Sequence, residues 1–149
     1  MPRFNFRLQQ YLGVKEQIEN QKELEYSHAI RKLEEEKALL VQMLEQREAQ
    51  ITAFQQALRT NIDPIEIRRF NGSIDRLKYQ IFKQQERVNT AEVYVETKRE
   101  ELVVAMKERK ALEIVKDNAR EEFNLEANLA EQRQVDELVS FRYTDKQKN

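Results

Sequence analysis

The chain has 149 residues, a formal net charge of −1, and 36% charged against 40% hydrophobic residues. So balanced a charge argues against a nucleic-acid partner, which needs clustered, unbalanced basic residues to displace counterions. The absence of cysteine rules out disulfides and thiolate metal sites and fits a reducing compartment. Ala, Glu, Lys, Leu and Arg supply 73 residues, the half-of-chain share of long helices and coiled coils. Leu, Ile, Val and Phe supply 40, more than a fifth, which with the small net charge disfavours disorder.

The opening stretch MPRFNFRLQQYLG lacks the continuous apolar run of a signal peptide, and no segment approaches the ~18 apolar residues of a membrane span. A soluble, cytoplasmic protein with no direct membrane insertion is expected. A first helix is predicted over about residues 6–60. Alternating steps of four and three carry its apolar stripe through Leu12, Glu16, Glu19, Glu23, Tyr26, Ile30, Leu33, Lys37, Leu40, Leu44, Arg47, Ile51, Phe54 and Leu58. Nine of these fourteen are apolar. Such a narrow seam, with a mean repeat near ~3.5 residues, is the coiled-coil signal.

The same helix holds the only histidine. Glu25 and His28 stand three apart, formally one half of a di-iron bundle motif, but such sites need two of these elements on four helices. A solvated histidine is expected, with no metal, no cofactor and no catalytic residue. The run Glu34–Glu36 reads as a solvated face, because Leu33 and Lys37 take the seam positions.

Between the helices lies a turn over about 61–63. Asp63 is a suitable N-cap, and Pro64 then falls at the first helical position, where its missing N–H costs nothing. Glu66 completes a capping-box spacing, while Ile62 and Ile67 have the spacing of a hydrophobic staple. Around this tip Arg59, Arg68, Arg69, Arg76 and Lys78 outnumber Asp63, Glu66 and Asp75, either as solvating charge or as a docking patch for an acidic partner.

The second helix is predicted over about 64–143, with a frayed tail at 144–149, the whole chain forming one coiled-coil domain. Asn71–Gly72 keeps helical spacing with Phe70 and Ile74, so it reads as a soft spot rather than a hairpin turn. The stripe here runs through Ile67, Phe70, Ile74, Leu77, Ile81, Gln84, Val88, Ala91, Val95, Lys98, Leu102, Ala105, Arg109, Leu112, Lys116, Ala119 and Phe123, of which thirteen are apolar. An antiparallel hairpin keeps the residue numbers of facing positions at a nearly constant sum. Leu58 with Ile67, Ile51 with Ile74, Leu44 with Ile81 and Ile30 with Val95 all give 125. On that register Glu16 faces Arg109. The fold class is therefore all-α: a long two-helix antiparallel coiled-coil hairpin.

Closure is expected to be uneven. The tip is apolar on both faces, whereas Glu16, Glu19 and Glu23 must be desolvated even when paired, and Gly13 weakens its helix by ~1 kcal/mol. At ~1.5 Å per residue the helices span roughly 80 and 120 Å, so residues beyond about 121 overhang. That overhang still bears Leu125, Leu129, Val139 and Tyr143 on one stripe, with Val135, Leu138 and Phe141 beside it. Either it frays or self-associates, or it is an apolar surface kept for another molecule.

Three elements carry a family resemblance. The opening FNFRLQQYLGVKEQIE, through Phe4, Phe6, Leu12, Lys15 and Glu16, is similar to the start of the flagellar export protein FliJ family of the type III export apparatus. IEIRRFNGSIDRLKYQI after the bend, and EQRQVDELVSFRY with Asp136–Glu137 before an aromatic-basic end, resemble the same family. The resemblance covers essentially the whole chain. It implies an antiparallel coiled coil similar to the central stalk of rotary ATPases. It further implies three kinds of partner: a hexameric flagellar export ATPase, the cytoplasmic domain of the membrane export gate, and export chaperones. The expected location is the inner face of the cell membrane at the flagellar base.

On that basis Phe6, Leu8, Leu12, Leu129, Leu138 and Phe141 are candidates for the ATPase contact. Arg69, Phe70 and Ile74 are candidates for the gate. The alternative reading is a generic coiled-coil scaffold or holdase chaperone acting through the C-terminal overhang.

Overall fold

The computed structural model describes residues 2–148. They form two helices, α1 (Gln9–Leu58) and α2 (Pro64–Lys148), which pack against each other as an all-α hairpin, with no strand among the described residues. The bend is built as its residues dictate. Asp63 Oδ1 accepts the Ile65 N–H at 3.1 Å, and the Asp63 carbonyl accepts the Ile67 N–H at 3.2 Å. Asp63 is thus the N-cap and Pro64 the first helical residue.

Both helices depart from the expected bounds for local reasons. α1 starts at Gln9 rather than residue 6, because Phe6 turns inward and its carbonyl accepts the Gln9 N–H at 3.1 Å. It stops at Leu58 rather than 60: the Arg59 and Thr60 N–H groups reach back three residues, to Gln56 and Ala57, each at 3.2 Å. At the other end α2 runs through Lys148, so the expected frayed tail is helical over 144–148; residue 149 lies outside the described residues. Lys146 and Lys148 in the last turn complement the helix dipole. Asn71–Gly72 sits in uninterrupted helix.

The stripe read for α2 is the one that packs: all seventeen positions are buried or half-buried. In α1 four positions are displaced, while Ile30, Leu44 and Ile51 of the expected stripe are half-buried beside Ala29, Met43 and Gln50. Glu16, Glu23, Lys37 and Leu58 are exposed, and the residues just before them, Lys15, Lys22, Glu36 and Ala57, turn inward instead. The α1 seam is therefore Leu12, Lys15, Glu19, Lys22, Tyr26, Ala29, Leu33, Glu36, Leu40, Met43, Arg47, Gln50, Phe54 and Ala57, none of them exposed. Two expectations fall with this rotation. Glu36 is buried rather than solvated, and Arg109 meets Glu19 rather than Glu16.

Cross-helix partners have residue numbers that sum to between 120 (Glu36 with Gln84) and 128 (Glu19 with Arg109), around the expected 125.

The chain divides into two compact units. In the unit of residues 20–103, Ala29, Leu77, Val88 and Ala91 are buried, and Phe54 stacks on Phe70 with ring centroids 5.3 Å apart. Polar groups interrupt this core: Lys22 pairs with Glu101 and Lys98 with Glu25, each at 3.3 Å, and a buried layer lies between them and the bend. Gln84, 2% exposed, donates from Nε2 to the Glu36 carbonyl at 2.9 Å and to the Glu36 carboxylate. Lys32 closes the layer from outside at 2.9 Å. These two hydrogen bonds, first Lys32 and then Gln84, hold the Glu36 carboxyl below the ordinary range despite its burial.

In the unit of residues 2–19 with 104–148, Phe6, Leu12 and Ala105 are buried. Phe4 lies 5.6 Å from the ring of Phe123 and beneath the Arg120 guanidinium. The short N-terminal segment thus covers α2 as far as Phe123. From residue 124 to 148 every α2 side chain is exposed.

Candidate functional site

The Glu25–His28 pair is not drawn together into a site. His28 is exposed, and its neighbour Glu25 is engaged by Lys98 at 3.3 Å and Lys22 at 3.5 Å. Among the described residues no group of three His, Asp or Glu is arranged to hold a metal ion. No helix is long and apolar enough to cross a membrane. What the molecule offers instead is surface.

The first surface is the C-terminal stretch of α2. Leu129, Leu138 and Phe141 are all exposed, Phe141 by 71%. Leu138 and Phe141 share a concavity of about 480 Å³ with Gln134 and Glu137, where an apolar floor is edged by one carboxylate. The other three ATPase candidates sit differently. Phe6 and Leu12, 9% and 2% exposed, are spent in the unit's own core, and Leu8 is half-buried. Phe6 and Leu12 therefore hold the N-terminal segment down, and the accessible candidates are those of α2, although Tyr11, Val14 and Ile18 of α1 are exposed as well.

Below that stripe the seam is electrostatic. Lys15 pairs with Glu108 at 2.9 Å. Arg109 binds Glu19 through two nitrogens and Glu113 at 2.8 Å, which pushes the guanidinium pKa up, Glu19 contributing most. These pairs close charged seam positions.

The second surface lies near the bend. Arg69 and Phe70 line a concavity of about 330 Å³ together with Gln50, Glu66 and Ser73, fixed across the helices by Ser73 Oγ donating to Gln50 Oε1 at 3.1 Å. Phe70 presents only part of its ring here, because the rest stacks on Phe54. Ile74 is half-buried and lies outside this concavity.

A third surface was not singled out from the sequence. A groove of about 720 Å³ runs beside Lys32 and Glu36 of α1 and the 79–94 stretch of α2. Its signal was present: Tyr79, Lys83, Arg87 and Thr90 recur at helical spacing, as a second stripe beside the seam.

A protein-family model described as "Flagellar FliJ protein" matches residues 4–148. None of the curated proteins and none of the solved structures compared with the chain matches it.

Proposed function

The chain belongs to the flagellar FliJ family and is a component of flagellar protein export, and from that premise we propose that it works as a central-stalk-like coiled coil on a hexameric export ATPase. The C-terminal stretch of α2 docks on the ATPase and promotes its assembly and turnover. The hairpin links that ATPase to the cytoplasmic domain of the export gate and to export chaperones, at the inner face of the membrane. No catalytic step is assigned to the chain itself.

The observation that carries this reading is the exposed helix over 124–148. An isolated helix in water is marginal even with good helix formers. Leu125, Leu129, Leu138 and Phe141 on its surface, with no intrachain cover, fit a segment that gains its packing from another molecule. The concavity at Arg69 and Phe70 is the favoured gate contact, because it presents a cation beside a partly exposed aromatic ring.

The test is the ATP turnover and hexamer formation of the cognate ATPase with and without the chain. Leu138→Asp and Phe141→Asp change exposed side chains, so the hairpin's melting should be unaffected while stimulation falls at least tenfold. Unchanged stimulation in both variants overturns the docking assignment. A chain that leaves the ATPase unaffected but binds many unrelated helices favours the scaffold or holdase reading instead.

A further inference from the structure

We propose that the groove between Lys32 of α1 and the Tyr79–Tyr94 stretch of α2 seats a third helix, an amphipathic segment of a partner protein with acidic residues along one edge. The surface is separate from the C-terminal stripe and does not depend on the assignment made to it.

Its shape argues for a helix. Fifteen residues separate Tyr79 from Tyr94, which on a helix is ~22 Å, or about four turns of a partner. The groove is flanked by two packed helices, and the cleft beside such a pair is the surface into which a third helix lays its ridge of side chains. Tyr79 and Tyr94, 62% and 51% exposed, stand at its ends as apolar walls with polar tips. Aromatic side chains of this kind are the usual anchors of such contacts.

Its charge chooses the partner. Lys32, Lys83 and Arg87 line the groove against Glu36 and Glu86. Both carboxylates are already engaged: Glu36 is held inward by Gln84 and Lys32, and Glu86 lies 3.6 Å from Lys83. Arg87 has no carboxylate within ion-pair distance among the described residues, and it lies near enough to oppose the Lys32 ammonium and, at longer range, to favour the Glu36 carboxylate. Lys83 is further held over the face of Tyr79, 5.6 Å from the ring centroid. The groove thus keeps an unspent positive charge beside exposed aromatic surface. An acidic helix edge satisfies it, and a basic edge is repelled.

The experiment is a titration of the full chain followed by amide NMR. The probes are a designed 21-residue helix with leucines on one face and glutamates beside them, its twin with lysines in place of the glutamates, and a 15-nucleotide single-stranded DNA. The glutamate helix should shift amides at 79–94 and 32–36 saturably, and its lysine twin should bind at least tenfold more weakly. In the double variant Lys83→Glu/Arg87→Glu the preference should invert, and Tyr79→Ala should weaken binding at least threefold, both with unchanged helical circular dichroism. Equal binding of the two helices, shifts outside the groove, or the DNA displacing the glutamate helix each overturn the proposal.

Discussion

Residues 20–103 and the unit of residues 2–19 with 104–148 are built on the same four-three spacing but differ in how much of it is covered. The first buries Ala29, Leu77, Val88 and Ala91 beside a Glu36–Gln84 layer and pairs Lys22 with Glu101 and Lys98 with Glu25. The second buries Phe6, Leu12 and Ala105, sets Lys15, Glu19 and Arg109 along its seam, and then carries 124–148 with no cover at all. Burial of apolar surface holds two helices together at roughly 25 cal/mol per Å², whereas exposed ion pairs add little. The contrast is between a region whose two helices cover each other and one whose C-terminal stretch is exposed.

The sharpest way to probe this contrast is to truncate one core residue in each unit. Leu12→Ala and Leu77→Ala each remove a buried side chain and should cost about 2–5 kcal/mol, measured by urea denaturation. Leu138→Ala, on the uncovered stretch, should cost less than ~0.5 kcal/mol. Equal losses at all three positions would erase the distinction.

Next in size is the polar layer. Gln84→Ala leaves the Glu36 carboxylate without its buried donor and should destabilise by about 1–3 kcal/mol. The double change Glu36→Leu/Gln84→Leu should recover stability but loosen the register. Pairs of cysteines placed on facing positions would show this, by cross-linking in more than one alignment.

The ion pairs give a smaller effect with a defined pH window. Glu25, Glu36 and Glu101 are held below their ordinary value of 4.5, by Lys98 first for Glu25 and Glu101 and by Lys32 first for Glu36. The unfolded chain therefore binds more protons at acid pH. Their contribution is complete above about pH 4.5 and is lost as pH falls through the lower folded values. Lys15, Lys32 and Lys98 are raised above 10.5 by their carboxylate partners. Their contribution is complete below 10.5 and fades as pH rises through the raised values. Thermal melts across pH should show both edges, and 1 M salt should flatten the acid one.

The smallest change is Gly72→Ala. An added Cβ there meets nothing within 4 Å, so helix propensity alone acts and should stabilise by about 1 kcal/mol.

Much of this architecture was legible in the residues. Asp63–Pro64 announces a helix start through its own chemistry, and the α2 stripe needs no revision. The rotation of α1 was not legible from counting. The stripe read through Glu16, Glu23 and Lys37 has nine apolar positions, while the one that packs, through Lys15, Lys22 and Glu36, has eight. The choice is made by α2. Glu108 accepts from Lys15, Glu101 accepts from Lys22, and Gln84 donates to Glu36 in the core. Such preferences belong to a pair of helices and are invisible in either one. Among the candidate contacts, Phe6 and Leu12 share the apolar character of Leu138 and Phe141. Phe6 is set apart by the inward turn of the chain before Gln9, and Leu12 by its place on the α1 seam.

The central claim, that residues 124–148 gain their packing from the export ATPase while the helix pairing of 20–103 stands without it, is tested most directly by amide hydrogen exchange of the chain, free and bound to that ATPase. Free, the amides of 124–148 should exchange within seconds while those near Leu77 and Val88 persist for hours. Bound, 124–148 should gain protection and 20–103 should stay as it was. Strong protection of 124–148 in the free chain, or no change there on binding, would contradict the account.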